Sequence, residues 1–337
     1  MSTKGEMMEE YLRHYFLSRG FFVIRGAKFV YDSSDVTDVD LWLYNRSSVV
    51  SREKIIVDVK NKRTPQAIER ILWTRGLMSA LRVNGAMVAT TEKKERIKQF
   101  GKLNNVTVLD GHFLNELKSI KLERLSEEEL FASLKVSKDV KITNDFPRRY
   151  ENLKSLMIGP SDFSSANVLL AEIKYFAEQI IINPQRLTEA YRLFLCTISY
   201  FLILMDFLLR DMTFLSEQER IQKIDEGFKF GKLGKEGIER TLELAINISG
   251  QSTGLKARYM QQYDGLPVQI LREFFSKSNN VSGLFAIAKN VENLAFNRNV
   301  KIPTQLETQE KSILFLLLDF LGIDRTKFAS SFIPPGN

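Results

Sequence analysis

V-T-D-V-D-L-W-L-Y (residues 36–44) and K-I-I-V-D-V-K-N-K (residues 54–62) are separated by a polar turn. Both segments are short, rich in β-branched and aromatic residues, and carry charge only at alternate positions, which predicts two β-strands. Side chains alternate across a strand, so Asp38 and Asp40 share one face and Val39, Leu41 and Leu43 the other. In the second strand Asp58 and Lys60 share a face, opposite Val57 and Val59. An acid and a lysine two residues apart are costly to place in a strand that is otherwise buried, where packing alone would select valine or isoleucine.

A hairpin between the strands would bring Asp40 close to Asp58 and Lys60. Clustered carboxylates repel unless a cation lies between them, and oxygen-only ligands favour a hard ion, Mg²⁺ or Mn²⁺. The Lys60 ammonium would then face the anion or water at the metal, the outline of metal-assisted phosphodiester hydrolysis. The plainer alternative is a surface hairpin with Asp58 and Lys60 solvated.

Composition narrows the chemistry. Two histidines, His14 and His112, and one cysteine, Cys196, argue against a zinc site of the usual ligand types and against Ser-His-Asp, Cys-His or paired-histidine catalysis. No G-x-x-x-x-G-K-[ST] occurs; the run from Gly231 to Lys235 lacks that spacing. The lone cysteine and the polar, acidic opening fit a cytoplasmic protein. Of the net charge of +7, residues 1–120 hold +6 (20 Lys+Arg against 14 Asp+Glu) and residues 121–337 only +1. A basic region around a metal site suits a polyanion.

Outward from the two strands, residues 4–19 read as an amphipathic helix with Met8, Leu12, Tyr15 and Phe16 on its apolar face and Glu6, Glu9, Glu10 and Arg13 on the rest. Gly20 stops it, and a strand follows at 21–25 with a second arm at 28–31. Thr64-Pro65 opens a helix reaching Arg82, with Ile68, Ile71, Leu72, Leu77, Met78 and Leu81 as its apolar face. Trp42 and Trp73 read as packing residues, and Lys62 and Arg63 as solvated or phosphate-touching. A strand at 85–91, a basic helix at 92–102, a strand at 105–110 and a helix at 112–118 complete the order α-β-β-β-α-β-α-β-α, a sheet covered on both faces.

This order, with Asp on the second strand and D-x-K on the third, resembles the PD-(D/E)XK nuclease superfamily. The opening K-G-E-M-M-E (residues 4–9) followed by G-F-F-V-I-R (20–25) is similar to archaeal Holliday-junction resolvases. M-V-A-T-T (87–91) and V-L-D-G-H-F-L-N-E-L (108–117) are similar to Mrr-type restriction endonucleases. The resemblance covers about the first 120 residues. It implies Asp40, Asp58, the carbonyl of Val59 and Glu9 around a divalent ion, with Lys60 beside the attacking water. Val39-Asp40 stands where the motif has Pro-Asp, which leaves Asp38 as a rival to Asp40. Gln66 falls where relatives often keep a polar residue.

From about Leu122 helical signals dominate. Helices are expected from Ser126, over 161–182, from Asn183-Pro184 to about 210, and over 216–230, 235–249, 267–277, 282–298 and 304–321, with 138–147 as a linker and a loose tail. The apolar run 193–209 is slightly short for a membrane span of roughly 20 residues and contains Asp206. It and 313–321 read as core helices. Asp206 and Asp319 interrupt those runs as exposed helix turns or as partners of arginine.

The expectation is thus α/β plus all-α: a restriction-endonuclease-like αβββαβ domain over residues 1–120 and a helical recognition or assembly domain over 121–337. The resemblance implies a Mg²⁺- or Mn²⁺-dependent nuclease acting on DNA in prokaryotic restriction, phage defence or repair. RNA cleavage on the same fold, or a nuclease fold kept for binding or effector sensing, are the alternatives. Nucleic acid is the expected partner, with a protein partner through the helices, assembly into a homo-oligomer and no membrane. Residues 1–120 alone would carry most of the salt-dependent affinity for nucleic acid.

Overall fold

The structure is a computed structural model, and it describes residues 4–32, 34–62, 64, 66–135, 145–249 and 254–333. The chain divides into two compact units, Met1–Pro160 with Phe296–Asn299, and Ser161–Ala295 with Val300–Asn337.

The first unit is built on the strands anticipated above. After α1 (Lys4–Ser18) come β1 (Phe22–Tyr31), β2 (Ser34–Arg46) and β3 (Arg52–Lys60), then α2 (Ala67–Leu81), β4 (Gly85–Thr90), α3 (Glu95–Leu103), β5 (Val106–Leu109) and α4 (Gly111–Leu117). The strands lie in sequence order in one sheet. β1–β2 and β2–β3 are antiparallel, whereas β3–β4 and β4–β5 are parallel and are joined through helices, as parallel neighbours require. The two arms expected at 21–25 and 28–31 are one strand, turned at Gly26, whose φ of 60° suits a residue without Cβ.

Alternation sorts the sheet's faces. Leu41, Leu43, Val57 and Val59 pack with Met8, Leu12 and Phe16 of α1 and with Leu114 and Leu117 of α4 in one apolar cluster. Trp42, Tyr44 and Ile56 are also buried, and the rings of Trp42 and Tyr44 stack 6.0 Å apart.

Three expectations for this unit are corrected. The helix expected from Thr64 begins at Ala67, with Gln66 in the left-handed region at its start; Pro65 and Arg63 lie outside the described residues. Of the apolar face assigned to α2, Ile71 is buried and Leu77, Met78 and Leu81 are half-buried, but Ile68 and Leu72 are exposed, because the helix rests on Ala67 and Thr74 beside Ile71. Glu10 and Arg13, set apart from the apolar face of α1, are buried as well.

That burial moves the boundary. The expected division at 120/121 falls inside the first unit, which runs on through α5 (Glu127–Leu134) and α6 (Phe146–Ile158) to Pro160. α5 starts at Ser126 as expected, closed by a capping box with Glu129. Of the expected linker, 138–144 lie outside the described residues, while Phe146 and Pro147 form the first turn of α6. Glu127 of α5 pairs with the buried Arg13 of α1 and with Lys154 of α6, and Lys154 also donates to the Arg25 carbonyl of β1. Leu130, Leu134, Phe146, Tyr150 and Leu153 add apolar burial. With this boundary, residues 1–160 hold 28 Lys+Arg against 21 Asp+Glu, a net of +7, the excess of the whole chain.

The second unit is helical: α7 (Phe163–Ile182), α8 (Leu187–Leu209), α9 (Glu217–Phe230), α10 (Gly234–Ser249), α11 (Gly254–Asp264), α12 (Gln269–Ser276), α13 (Ser278–Phe296), α14 (Thr308–Phe320) and α15 (Arg325–Ser330). α11 and α15 were not anticipated. The segment from Pro184 to Met212 is the one stretch among the described residues long and apolar enough to cross a membrane, and 89% of its apolar window is buried by the protein itself. Phe201 meets Phe275 at 5.9 Å and Phe194 meets Phe328 at 5.3 Å between ring centres. Cys196 and Asp206 are buried within α8, while Asp319 pairs with Arg325.

Candidate functional site

Asp40 and Asp58 meet where β2 leaves β3. The paired register between these strands ends at Leu41↔Val57, yet β3 continues beside β4 to Lys60↔Thr90. Beyond Val57 the β2-facing edge of β3 therefore has no strand to bond to. The Val59 N–H, which points into that gap, donates instead to Asp40 Oδ2 at 2.6 Å. A residue's N–H and C=O project to the same edge of an extended strand, so the Val59 carbonyl also faces the gap.

Lys60 lies between the two acids. Its Nζ is 3.5 Å from Asp58 Oδ1 and 3.9 Å from Asp40 Oδ2. Asp58 is buried, 5% exposed, and Asp40 is half-buried. Burial pushes the Asp40 carboxyl up to about 7; the charges of Glu9 and Asp58 push the same way, against the Val59 N–H and Lys60. At neutral pH Asp40 is therefore poised between its two forms in the absence of a further cation.

Of the residues the sequence singled out, the structure gathers Asp40, Asp58, Val59 and Lys60. Glu9 is near enough for its charge to act on Asp40, but its carboxylate is held by Arg25, with Nε to Oε2 at 2.9 Å. Its own pKa is raised by burial in spite of that arginine. Among the described residues, no three His, Cys, Asp or Glu side chains converge in a ready-made cage for a metal ion. Asp38 is exposed, opposite Lys28 in the β1–β2 register. Gln66 is exposed too, at the start of α2.

Arg70 was not anticipated. From the first turns of α2 it reaches across to Asp58, Nε to Oδ2 at 2.9 Å, and Nη2 bonds Oδ1. Its guanidinium lies 4.1 Å from the centre of the Trp73 ring, so Trp73 is not the packing residue expected but a half-exposed platform for a cation. The only trace in the sequence is an arginine ten residues beyond the lysine of D-x-K, which by itself signals nothing.

The donor set suits a hard divalent ion: carboxylate oxygens of Asp40 and Asp58 and the backbone carbonyl between Asp58 and Lys60. The raised pKa of Asp40 marks a place where negative charge is undercompensated, which a bound cation would relieve. On the α1 side of the same strand ends is an open cleft of about 660 Å³, lined in part by Lys4, Tyr11, Asn61, Lys62, Thr91 and Lys118, with no acid on its walls. Asn61 Nδ2 donates to the Lys4 carbonyl at 2.8 Å, and Thr91 Oγ1 to the Lys62 carbonyl at 2.6 Å, so the cleft's rim is tied together.

Neither models of known protein families, nor curated proteins, nor solved structures yield a match to this chain.

Proposed function

We propose that the first unit is a divalent-metal-dependent nuclease of PD-(D/E)XK type that hydrolyses phosphodiester bonds in DNA. One observation carries the reading: Asp40, Asp58 and Lys60 converge at the parting of β2 and β3, with Asp40 left short of positive charge. The order α-β-β-β-α-β, with these residues on its second and third strands, supports it. The acid-free lysine cleft and the concentration of the chain's positive excess in residues 1–160 support a polyanionic substrate.

Asp40, Asp58 and the Val59 carbonyl would hold Mg²⁺ or Mn²⁺, with Glu9 acting on the site through its charge. When bound, such an ion supplies Lewis-acid stabilisation of phosphate charge and acidifies water. Lys60 has two tasks that its position allows: its ammonium orients the attacking water, and it offsets negative charge growing on the phosphate in the transition state. The Val59 N–H fixes the rotamer of Asp40, so this carboxylate is preorganised.

A second reading, a nuclease fold that binds nucleic acid without cutting, is favoured by one feature: Arg70 already satisfies both oxygens of Asp58. Incubation of the full chain with plasmid, linear single strands, branched DNA and RNA, with and without Mn²⁺, separates the readings. Mn²⁺-dependent cleavage of DNA that falls about 10²–10³-fold in Lys60→Ala supports the proposal. Cleavage confined to RNA reassigns the substrate. Undiminished activity of Lys60→Ala removes the site, and binding without cleavage of any substrate leaves the second reading.

A further inference from the structure

We infer that Arg70 couples nucleic-acid binding to divalent-ion binding: it holds Asp58 until a phosphate draws its guanidinium away. This rests on the metal-site reading above.

Asp58 carries two protein cations. Arg70 bonds both of its oxygens and Lys60 stands 3.5 Å from one of them. Asp40, by contrast, has Lys60 at 3.9 Å and a backbone N–H. An ion that adds two positive charges beside Asp58 with Arg70 still in place would sit against two like-charged groups around only two carboxylates. Guanidinium and metal ion therefore compete for Asp58, and the ion-binding state is one in which Arg70 has turned away.

What Arg70 turns toward is set by its chemistry. A guanidinium presents a planar pair of donors that fits phosphate as well as carboxylate. The side chain keeps about 20% of its surface exposed, and its guanidinium rests on the flat Trp73 ring. A strand of nucleic acid whose phosphate sits beside Lys60 offers that second anion. Once Arg70 bonds the phosphate, Asp58 is released to the ion. By linkage, the factor by which nucleic acid raises ion affinity equals the factor by which the ion raises nucleic-acid affinity. The device keeps the site poorly loaded with metal until substrate is present.

The rival explanation is that the pair merely fastens α2 to β3. The two differ in sign for metal binding. Mn²⁺ titration of the full chain, followed by electron paramagnetic resonance of the unbound ion, compares wild type, Arg70→Gln, Arg70→Lys and Asp58→Asn. Each is measured with and without a short duplex carrying hydrolysis-resistant phosphorothioate linkages. Without duplex, Arg70→Gln binds Mn²⁺ about tenfold more tightly than wild type, a difference of about 1.4 kcal/mol. Arg70→Lys, which keeps the charge and loses the paired donors, falls between. The duplex tightens Mn²⁺ binding in wild type and has little effect in Arg70→Gln, while Asp58→Asn binds the ion weakly throughout. Equal or weaker Mn²⁺ binding by Arg70→Gln, or an equal effect of the duplex in both proteins, overturns the coupling and leaves the metal site standing. If wild type and both Arg70 variants bind no Mn²⁺ under any condition, the metal-site reading falls and the coupling with it.

Discussion

Two clusters of charge lie within the first unit, made of the same kinds of residue and opposite in character. One joins α1, β1, α5 and α6. Glu10 Oε1 accepts from Arg25 at 2.9 Å, from Arg13 at 3.3 Å and from the Glu127 N–H at 2.9 Å. Glu127 in turn meets Lys154 at 2.7 Å and the Tyr150 hydroxyl at 3.2 Å, and Arg25 also holds Glu128 at 2.5 Å. The other is the Asp40, Asp58, Lys60 and Arg70 group. Glu127 is deeply buried, yet its carboxyl is held below the ordinary range: burial alone would raise it, but Lys154 and Arg13 overcome that. Asp40 is less buried and yet is pushed up to about 7. The difference is closure. In the first cluster each carboxylate has a cation in direct contact, and the set is architectural. In the second, Asp40 faces a gap at a strand edge where a cation from outside can enter. Glu9 bridges them, held by Arg25 of the first and acting by charge on the second.

The sharpest way to break this comparison is to cut the chain. A fragment ending at residue 120 removes Glu127, Glu128 and Lys154, so Arg13 loses its pairing with Glu127, Arg25 its pairing with Glu128 and Glu10 the bond from the Glu127 N–H, while the pairs among Glu9, Glu10, Arg13 and Arg25 lose the cover of α5 and α6. Breaking even one buried pair costs about 3–5 kcal/mol, a large part of a domain's stability. The 1–120 fragment is therefore expected to lack a cooperative unfolding transition, and the 1–160 fragment to show one. Urea melts followed by circular dichroism check this. A cooperative 1–120 fragment would mean the charge network is an accessory.

Next in size is Glu127→Ala, expected to destabilise the protein by about 3–5 kcal/mol, because Lys154 and Arg13 are left buried beside an empty site. Its pH dependence has a fixed sign. The folded-state pKa of Glu127 lies below the ordinary 4.5, so its contribution is complete above about that pH and is lost as pH falls through the folded value. Denaturant midpoints of wild type and variant should converge as pH is lowered below 4.5. A gap that stays constant with pH would assign the effect to packing.

Asp40→Asn should act in the opposite direction. Its folded-state pKa is raised from 3.8 to about 7, so whatever stability accompanies the protonated form is present below 3.8 and lost as pH rises through 7. At pH 8 in EDTA, the asparagine variant should be more stable than wild type by roughly 1–3 kcal/mol, since it has no charge to bury and keeps an acceptor for the Val59 N–H. The advantage should vanish near pH 4, and Mn²⁺ should restore wild type at pH 8 but not the variant. Thermal melts on a pH series, with EDTA or Mn²⁺, make the comparison.

Which of these clusters could be read from the chain follows from the distance over which each is assembled. Asp40, Asp58 and Lys60 lie within 21 residues on two strands whose alternation is visible in the letters, so their shared location was legible. The element order through α4 was legible for the same reason: each element announces itself by its own period and caps. The architectural cluster was not, because Glu10 and Glu127 are 117 positions apart and nothing local marks Glu10 or Arg13 as buried. The texture change near residue 122 was real but marked the end of the sheet, not of the unit. α2 misled because its apolar residues run around much of the helix, so a list of them could not say which side is covered. Arg70 escaped because an arginine on a helix is ordinarily solvated, and its pairing with Asp58 exists only once α2 is laid against β3.

The smallest expected effect is the finest test of the site's register. Asp38 and Asp40 share a strand face, and from the letters alone either could be the residue beside Asp58. The ladder separates them: Asp38 is opposite Lys28 on the β1 side and exposed, whereas Asp40 accepts the Val59 N–H beside Asp58. An exposed carboxylate paired at most loosely with a lysine contributes little, so Asp38→Asn should change stability by less than about 0.5 kcal/mol. Mn²⁺ affinity should be unchanged, and the pH-dependent stability gain of Asp40→Asn should be absent. If Asp38→Asn instead weakens Mn²⁺ binding as strongly as Asp40→Asn, the ion lies further toward the open end of the gap. The Val59 N–H bond then locks Asp40 as a support, and Asp38 becomes a ligand in its place.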